Sequence, residues 1–132
     1  MGLLNRLLLD THALLWLDAE PAKLPARAVE AIGDLSSTVF VSAATAYEIA
    51  LKNRTGKLPG VEPLVDGFAG RLAAYRFLSL EVNVAHAIAA GRLQLRHRDP
   101  FDRLLIAQAL VEDLTLVSNG KLFDSFGVRR LW

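Results

Sequence analysis

A chain of 132 residues, with 15 Lys or Arg against 14 Asp or Glu, a net charge of +1 and no cysteine, is sized for one domain spanning residues 1–132. The balanced charge excludes a global attraction to polyanions, and the missing cysteines exclude a disulfide framework and a Cys-based zinc centre, in keeping with a reducing compartment. Apolar residues make up 52% of the chain, enough for a packed core, yet no apolar run approaches the ~18 residues of a membrane helix, so a soluble cytoplasmic protein is expected.

The apolar run from Leu3 to Leu9, broken by Asn5 and Arg6, ends at Asp10. It reads as a central parallel strand buried on both faces; with no small-residue cleavage site, it does not read as a signal peptide. Thr11 to Asp18 is expected to be helical, Pro21 and Pro25 mark a loop, and Ala26 to Leu35 forms a second helix. The β-branched run Thr38 to Val41 predicts the second strand. Ser42 can cap a helix from Ala43 to about Thr55, with Gly56 where a left-handed terminating glycine belongs. Further helices are expected over Val61–Ala74 and Val84–Gly91, with a short strand at Phe77–Leu80 between them. Asp99-Pro100 is a strong helix start, a capping side chain followed by proline at the first helical position, and that helix should run to about Glu112. Strands are expected at Thr115–Val117 and Val128–Leu131. This alternation predicts a three-layer α/β/α sandwich on a mostly parallel, five-stranded sheet.

In such sheets ligands bind beyond the carboxyl ends of the strands, and Asp10 falls there. Each acid also has a plainer reading. Asp10 can cap the helix that starts at Thr11. Glu48, with Ala44 and Leu51 as helical neighbours, can form an ordinary i,i+4 pair with Lys52. Asp102 can simply complement a helix dipole, and Asp99 can be the cap itself. Taken together, Asp10, Glu48 and Asp102 sit on three elements near one edge of the predicted sheet. An all-oxygen cluster of this kind suits Mg²⁺ or Mn²⁺, which polarise phosphoryl oxygens and acidify bound water.

Three stretches carry a family resemblance. Leu7-Leu8-Leu9-Asp10-Thr11-His12-Ala13-Leu14-Leu15-Trp16 resembles the opening motif of a PIN domain. Ser42 to Lys52, with Tyr47-Glu48-Ile49 at its centre and followed by Gly56-Lys57-Leu58, resembles the second acidic motif. His97-Arg98-Asp99-Pro100-Phe101-Asp102-Arg103 and the residues to Ala109 resemble the third. Order and spacing agree over essentially the whole chain, and the nearest branch is the VapC-type toxins of toxin–antitoxin pairs.

The resemblance implies a PIN-like fold and an Mg²⁺- or Mn²⁺-dependent endoribonuclease directed at tRNA, rRNA or mRNA. It also implies a homodimer and a cognate antitoxin whose C-terminal segment blocks the active site. It makes Asp10, Glu48 and Asp102 the catalytic, metal-binding residues. Thr11 and Ser42 become donors that orient the carboxylates, and Asp99, Ser118 and Asn119 lie at the site edge. One departure stands out. The family often carries a fourth acid three residues before a Phe; aligned on Phe123, that place is Gly120, with Asn119 and Asp124 as the nearest substitutes. The departure leaves open one metal or two. It also motivates a competing reading, a weak or inactive module that binds RNA or a protein.

Arg92, Arg96, His97, Arg98 and Arg103 fall within twelve residues around the third motif. Arg96, Arg98 and Arg103 are candidates for RNA phosphates, against the plain reading of a solvated turn. His12, His86 and His97 lack zinc-ligand spacing, with His12 expected mainly to pack although near the site. Trp16, Tyr47, Phe68 and Tyr75 are expected in the core or an interface. An aspartyl-phosphate enzyme is disfavoured, because His12 stands where the second Asp of that pattern belongs.

Overall fold

A computed structural model of the chain describes residues 5–94 and 99–132. The first strand, β1 (Arg6–Leu9), is buried on both faces: Leu7, Leu8 and Leu9 are all fully enclosed. Alternation splits them between two cores. Leu7 and Leu9 pack with Ala13, Leu14, Ala28, Val39, Val41, Ile49, Leu72 and Phe77 on one side of the sheet. Leu8 packs with Leu105, Ile106, Ala109, Leu116 and Phe123 on the other.

The elements that follow are α1 (Thr11–Ala19), α2 (Ala26–Gly33), β2 (Thr38–Ser42), α3 (Ala43–Arg54), α4 (Glu62–Asp66), α5 (Phe68–Tyr75) and β3 (Leu78–Leu80). After them come α6 (Val84–Arg92), α7 (Pro100–Val111), β4 (Thr115–Val117) and β5 (Arg130–Leu131). The sheet has order β3-β2-β1-β4-β5 with every pairing parallel. The architecture is the expected α/β/α sandwich, and the sheet is wholly parallel rather than mostly so. From β1 the chain first builds outward through β2 and β3, then returns to the other side of β1 with β4 and β5. The crevice where this direction reverses lies between β1 and β4.

Several boundaries differ from the sequence expectation. The helix expected over Val61–Ala74 is two helices, because Gly67 (φ −112°, ψ 28°) leaves helical geometry and serves at once as the end of α4 and the start of α5. The last strand shrinks to Arg130–Leu131, and a 3₁₀ turn at Lys121–Phe126 was not anticipated. Gly56 adopts the expected left-handed conformation (φ 79°) just past α3.

Helix α6 starts with a reciprocal cap. The Asn83 side chain accepts from the His86 amide at 2.9 Å, and His86 Nδ1 accepts from the Asn83 amide at 3.2 Å. That role puts the imidazole proton on Nε2, 2.7 Å from Glu112 Oε2 on the far end of α7. The enclosed histidine thus ties the α6–α7 hairpin together. Asn83→Ala should destabilise the fold by about 1 kcal/mol, read as a lower denaturation midpoint at unchanged slope.

Candidate active site

A cavity of about 200 Å³ opens at the β1–β4 crevice, lined by Asp10, Glu48, Asp99 and Asp102 together with Thr11, Lys52, Ser118 and Asn119. Four carboxylates from three segments therefore line one cavity at the carboxyl edge of the sheet. Asp10 arrives as the residue after β1, its backbone amide bonded to the Val117 carbonyl of β4 at 3.0 Å. Glu48 projects from the middle of α3, and Asp99 and Asp102 come from the amino end of α7, where the helix dipole favours negative charge.

Asp10 caps α1 by accepting from the Ala13 amide at 2.7 Å, and it also lines the cavity while only 7% exposed. Burial pushes its carboxyl above the ordinary carboxylate range. Hydrogen bonds from Ser118 and Ala13 and the nearby His12 counteract this, and the Asp102 charge adds to it. Asp99 is likewise both cap and cavity edge: its Oδ1 accepts from the Phe101 amide at 2.9 Å. Both oxygens of buried Glu48 are engaged, Oε1 by the Thr11 hydroxyl at 2.5 Å and Oε2 by the Lys52 ammonium at 2.5 Å.

The remaining expected residues divide. Thr11, Ser118 and Asn119 line the cavity. Ser42 does not: its hydroxyl caps α3 through the Ala44 amide, and it borders a separate apolar cavity between α3 and α5. Asp124, a suggested substitute for the fourth acid, is held in a two-pronged pair by Arg130 at 2.8 and 3.1 Å, and that pairing keeps its carboxyl below the usual range. Arg103, a candidate for RNA phosphates, donates from its guanidinium to the Ala90 and Leu93 carbonyls at 3.1 and 2.9 Å, where it closes the end of α6. Arg96, Arg98 and His97 lie outside the described residues.

Two further side chains line the cavity. His12 is exposed at the cavity rim, its ring 5.5 Å from that of Trp16, and Lys52 reaches into the cavity instead of lying on an outer helical face. The i,i+4 spacing of Glu48 and Lys52 was the available signal. Tyr47, expected in the core or an interface, is 64% exposed, with its ring 5.6 Å from Phe101.

The donor set fits a hard divalent cation: carboxylates, an amide and hydroxyls, with no sulfur. Among the described residues no three acidic or histidine side chains converge as a ready-made cage. The desolvated Asp10, with Asp102 adding to its strain, is the group such a cation would relieve.

A parallel sandwich with an acidic cavity at its switch point belongs to the open α/β folds that bind their ligands in that crevice. The sequence profile of the PIN domain matches residues 7–128, and the chain belongs to that family, whose members are nucleases. No curated protein matches it in sequence. Solved structures share the fold. VapBC from Salmonella typhimurium bound to DNA aligns with a TM-score of 0.72 at 19% identity, covering 96% of each chain. VapBC2 from Rickettsia felis bound to a promoter fragment gives 0.71 at 16%, over 96% of this chain and 97% of that one. VapBC-1 from nontypeable Haemophilus influenzae gives 0.69 at 18%, over 96% of each.

Proposed function

We propose that the chain is an Mg²⁺- or Mn²⁺-dependent endoribonuclease, the VapC-type toxin of a toxin–antitoxin pair, acting as a homodimer and restrained by a cognate antitoxin. The observation that carries this reading is the buried, charge-strained Asp10 facing Asp102 in a cavity that Glu48 and Asp99 also line. Membership of a nuclease family supports the reaction class. The three acidic motifs support RNA as substrate, and the toxin–antitoxin complexes of the same fold support a protein inhibitor.

Asp10 and Asp102, with Glu48 beside them, would hold the cation. Bound there, it supplies a polarised phosphoryl oxygen and a water acidified towards neutral pH. The chain's own groups set the stage. The Ala13 amide and Ser118 hydroxyl fix the Asp10 carboxylate, and the Thr11 hydroxyl fixes Glu48. His12 and Asn119 stand at the rim, where an incoming phosphodiester would meet donors. The competing reading, a weak or inactive binding module, rests on Gly120, but Asp99 restores the count of carboxylates to four.

Induced expression in a bacterial host without the antitoxin should arrest growth, with discrete RNA fragments appearing before viability falls. Expression of an Asp10→Asn chain at equal level should do neither. Growth arrest by both proteins alike would assign toxicity to something other than this cavity.

A further inference from the structure

The acid cavity contains a permanent cation of its own. Lys52 reaches Glu48 Oε2 at 2.5 Å, with its side chain 34% exposed and that of Glu48 only 7% exposed. An ordinary i,i+4 pair lies on the solvent face of a helix and contributes a few tenths of a kcal/mol. This one is different in three respects. Its carboxylate is buried, its ammonium lines a cavity shared with Asp10, Asp99 and Asp102, and the other Glu48 oxygen is taken by Thr11. Both oxygens of the acid are therefore occupied from within the chain.

We propose that Lys52 is a resident counter-ion that competes with the divalent cation for Glu48, neutralising the cavity when it holds no metal and yielding its place when a cation enters. The idea rests on the metal-site reading above. Charge arithmetic motivates it: four carboxylates line one cavity of about 200 Å³, the Asp10 and Asp102 charges oppose each other there, and an ammonium at hydrogen-bond distance from Glu48 brings a positive charge into the same space. The same positive charge then opposes a second cation in the same space. It keeps the metal-free fold tolerable and the metal affinity moderate.

The test is titration calorimetry with Mn²⁺ alone on the wild-type chain and on Lys52→Met, Lys52→Arg and Asp10→Asn. Lys52→Met should bind Mn²⁺ about tenfold more tightly, the scale of one screened like-charge interaction, while Lys52→Arg, which keeps the charge, should resemble wild type. Unchanged or weaker binding by Lys52→Met would overturn the proposal and leave Lys52 a simple structural partner. Should Lys52→Met not fold, acylation of the wild-type lysines, read by mass spectrometry, gives the answer directly. Lys52 should become more reactive on Mn²⁺ addition relative to Lys23, Lys57 and Lys121, and an unchanged ratio would overturn the proposal. Failure of the wild type to bind Mn²⁺, or equal binding by Asp10→Asn, would instead remove the metal-site reading itself, and the competition with it.

Discussion

Asp10→Asn is expected to abolish cleavage while making the metal-free protein more stable. The loss should exceed the ~100-fold typical of removing an outer partner of a metal ligand, because on the proposed reading Asp10 holds the cation itself from a nearly enclosed position in the crevice. The gain in stability follows from the direction of its shift. Burial raises the folded-state pKa above the ordinary 3.8, so ionisation costs the folded state free energy that the unfolded chain does not lose. That cost is fully present above the folded pKa, shrinks as pH falls through it, and is gone below the unfolded value. Asn retains the cap on α1, since the two side chains are equivalent N-caps. The melting temperature of Asp10→Asn should therefore exceed that of wild type at neutral pH in chelator, and the two should converge in acid. Excess Mn²⁺ should reverse the order, because only the wild type gains binding free energy. A variant less stable than wild type at neutral pH without metal would show that the Asp10 charge is already compensated.

The second large effect concerns the position where the family often has its fourth acid. Gly120→Asp looks like a repair, but the structure predicts damage. A β-carbon at Gly120 would stand 2.9 and 3.0 Å from the Phe123 ring and 3.2 Å from the Ser118 hydroxyl. The backbone itself is not the obstacle, since φ is −78°. The obstacle is Phe123, a buried ring of the Leu8 core, whose displacement would also disturb the Ser118 hydroxyl that steadies Asp10. Overpacking of this kind costs about 1–3 kcal/mol, or about 4 °C of melting temperature per kcal/mol in a chain of this size. Asn119→Asp is the better repair. Asn119 is exposed and lines the cavity, and the added carboxylate should tighten Mn²⁺ binding without that thermal loss. An undiminished melting temperature for Gly120→Asp, together with tighter Mn²⁺ binding, would mean that the Phe123 ring swings aside freely.

Much of this was readable where local chemistry and global fold agree. The Leu7-Leu8-Leu9 run announces a strand buried on both faces, Asp99-Pro100 announces a helix start, and the three acidic stretches fall on one sheet edge as their spacing implied. The rest depends on packing that local sequence does not encode. Ser42 ends β2 and Ser118 follows β4, both strands beside β1, yet only Ser118 faces the crevice, because strand order opens it on the β4 side. Arg103 sits in a basic stretch, but the antiparallel return of α7 past α6 presents it with the Ala90 and Leu93 carbonyls first. Gly67 breaks a helix that apolar periodicity alone would have continued. The i,i+4 spacing of Glu48 and Lys52 announces their pairing but is silent on which side of α3 is buried.

The most direct measurement is cleavage of total cellular RNA by the purified, antitoxin-free chain with Mg²⁺ or Mn²⁺, alongside EDTA and Asp10→Asn controls. Discrete fragments that vanish in both controls are the predicted result. RNA left intact by a folded wild-type protein that binds Mn²⁺, or cut equally well in EDTA, would contradict a metal-dependent ribonuclease built on Asp10, Glu48 and Asp102.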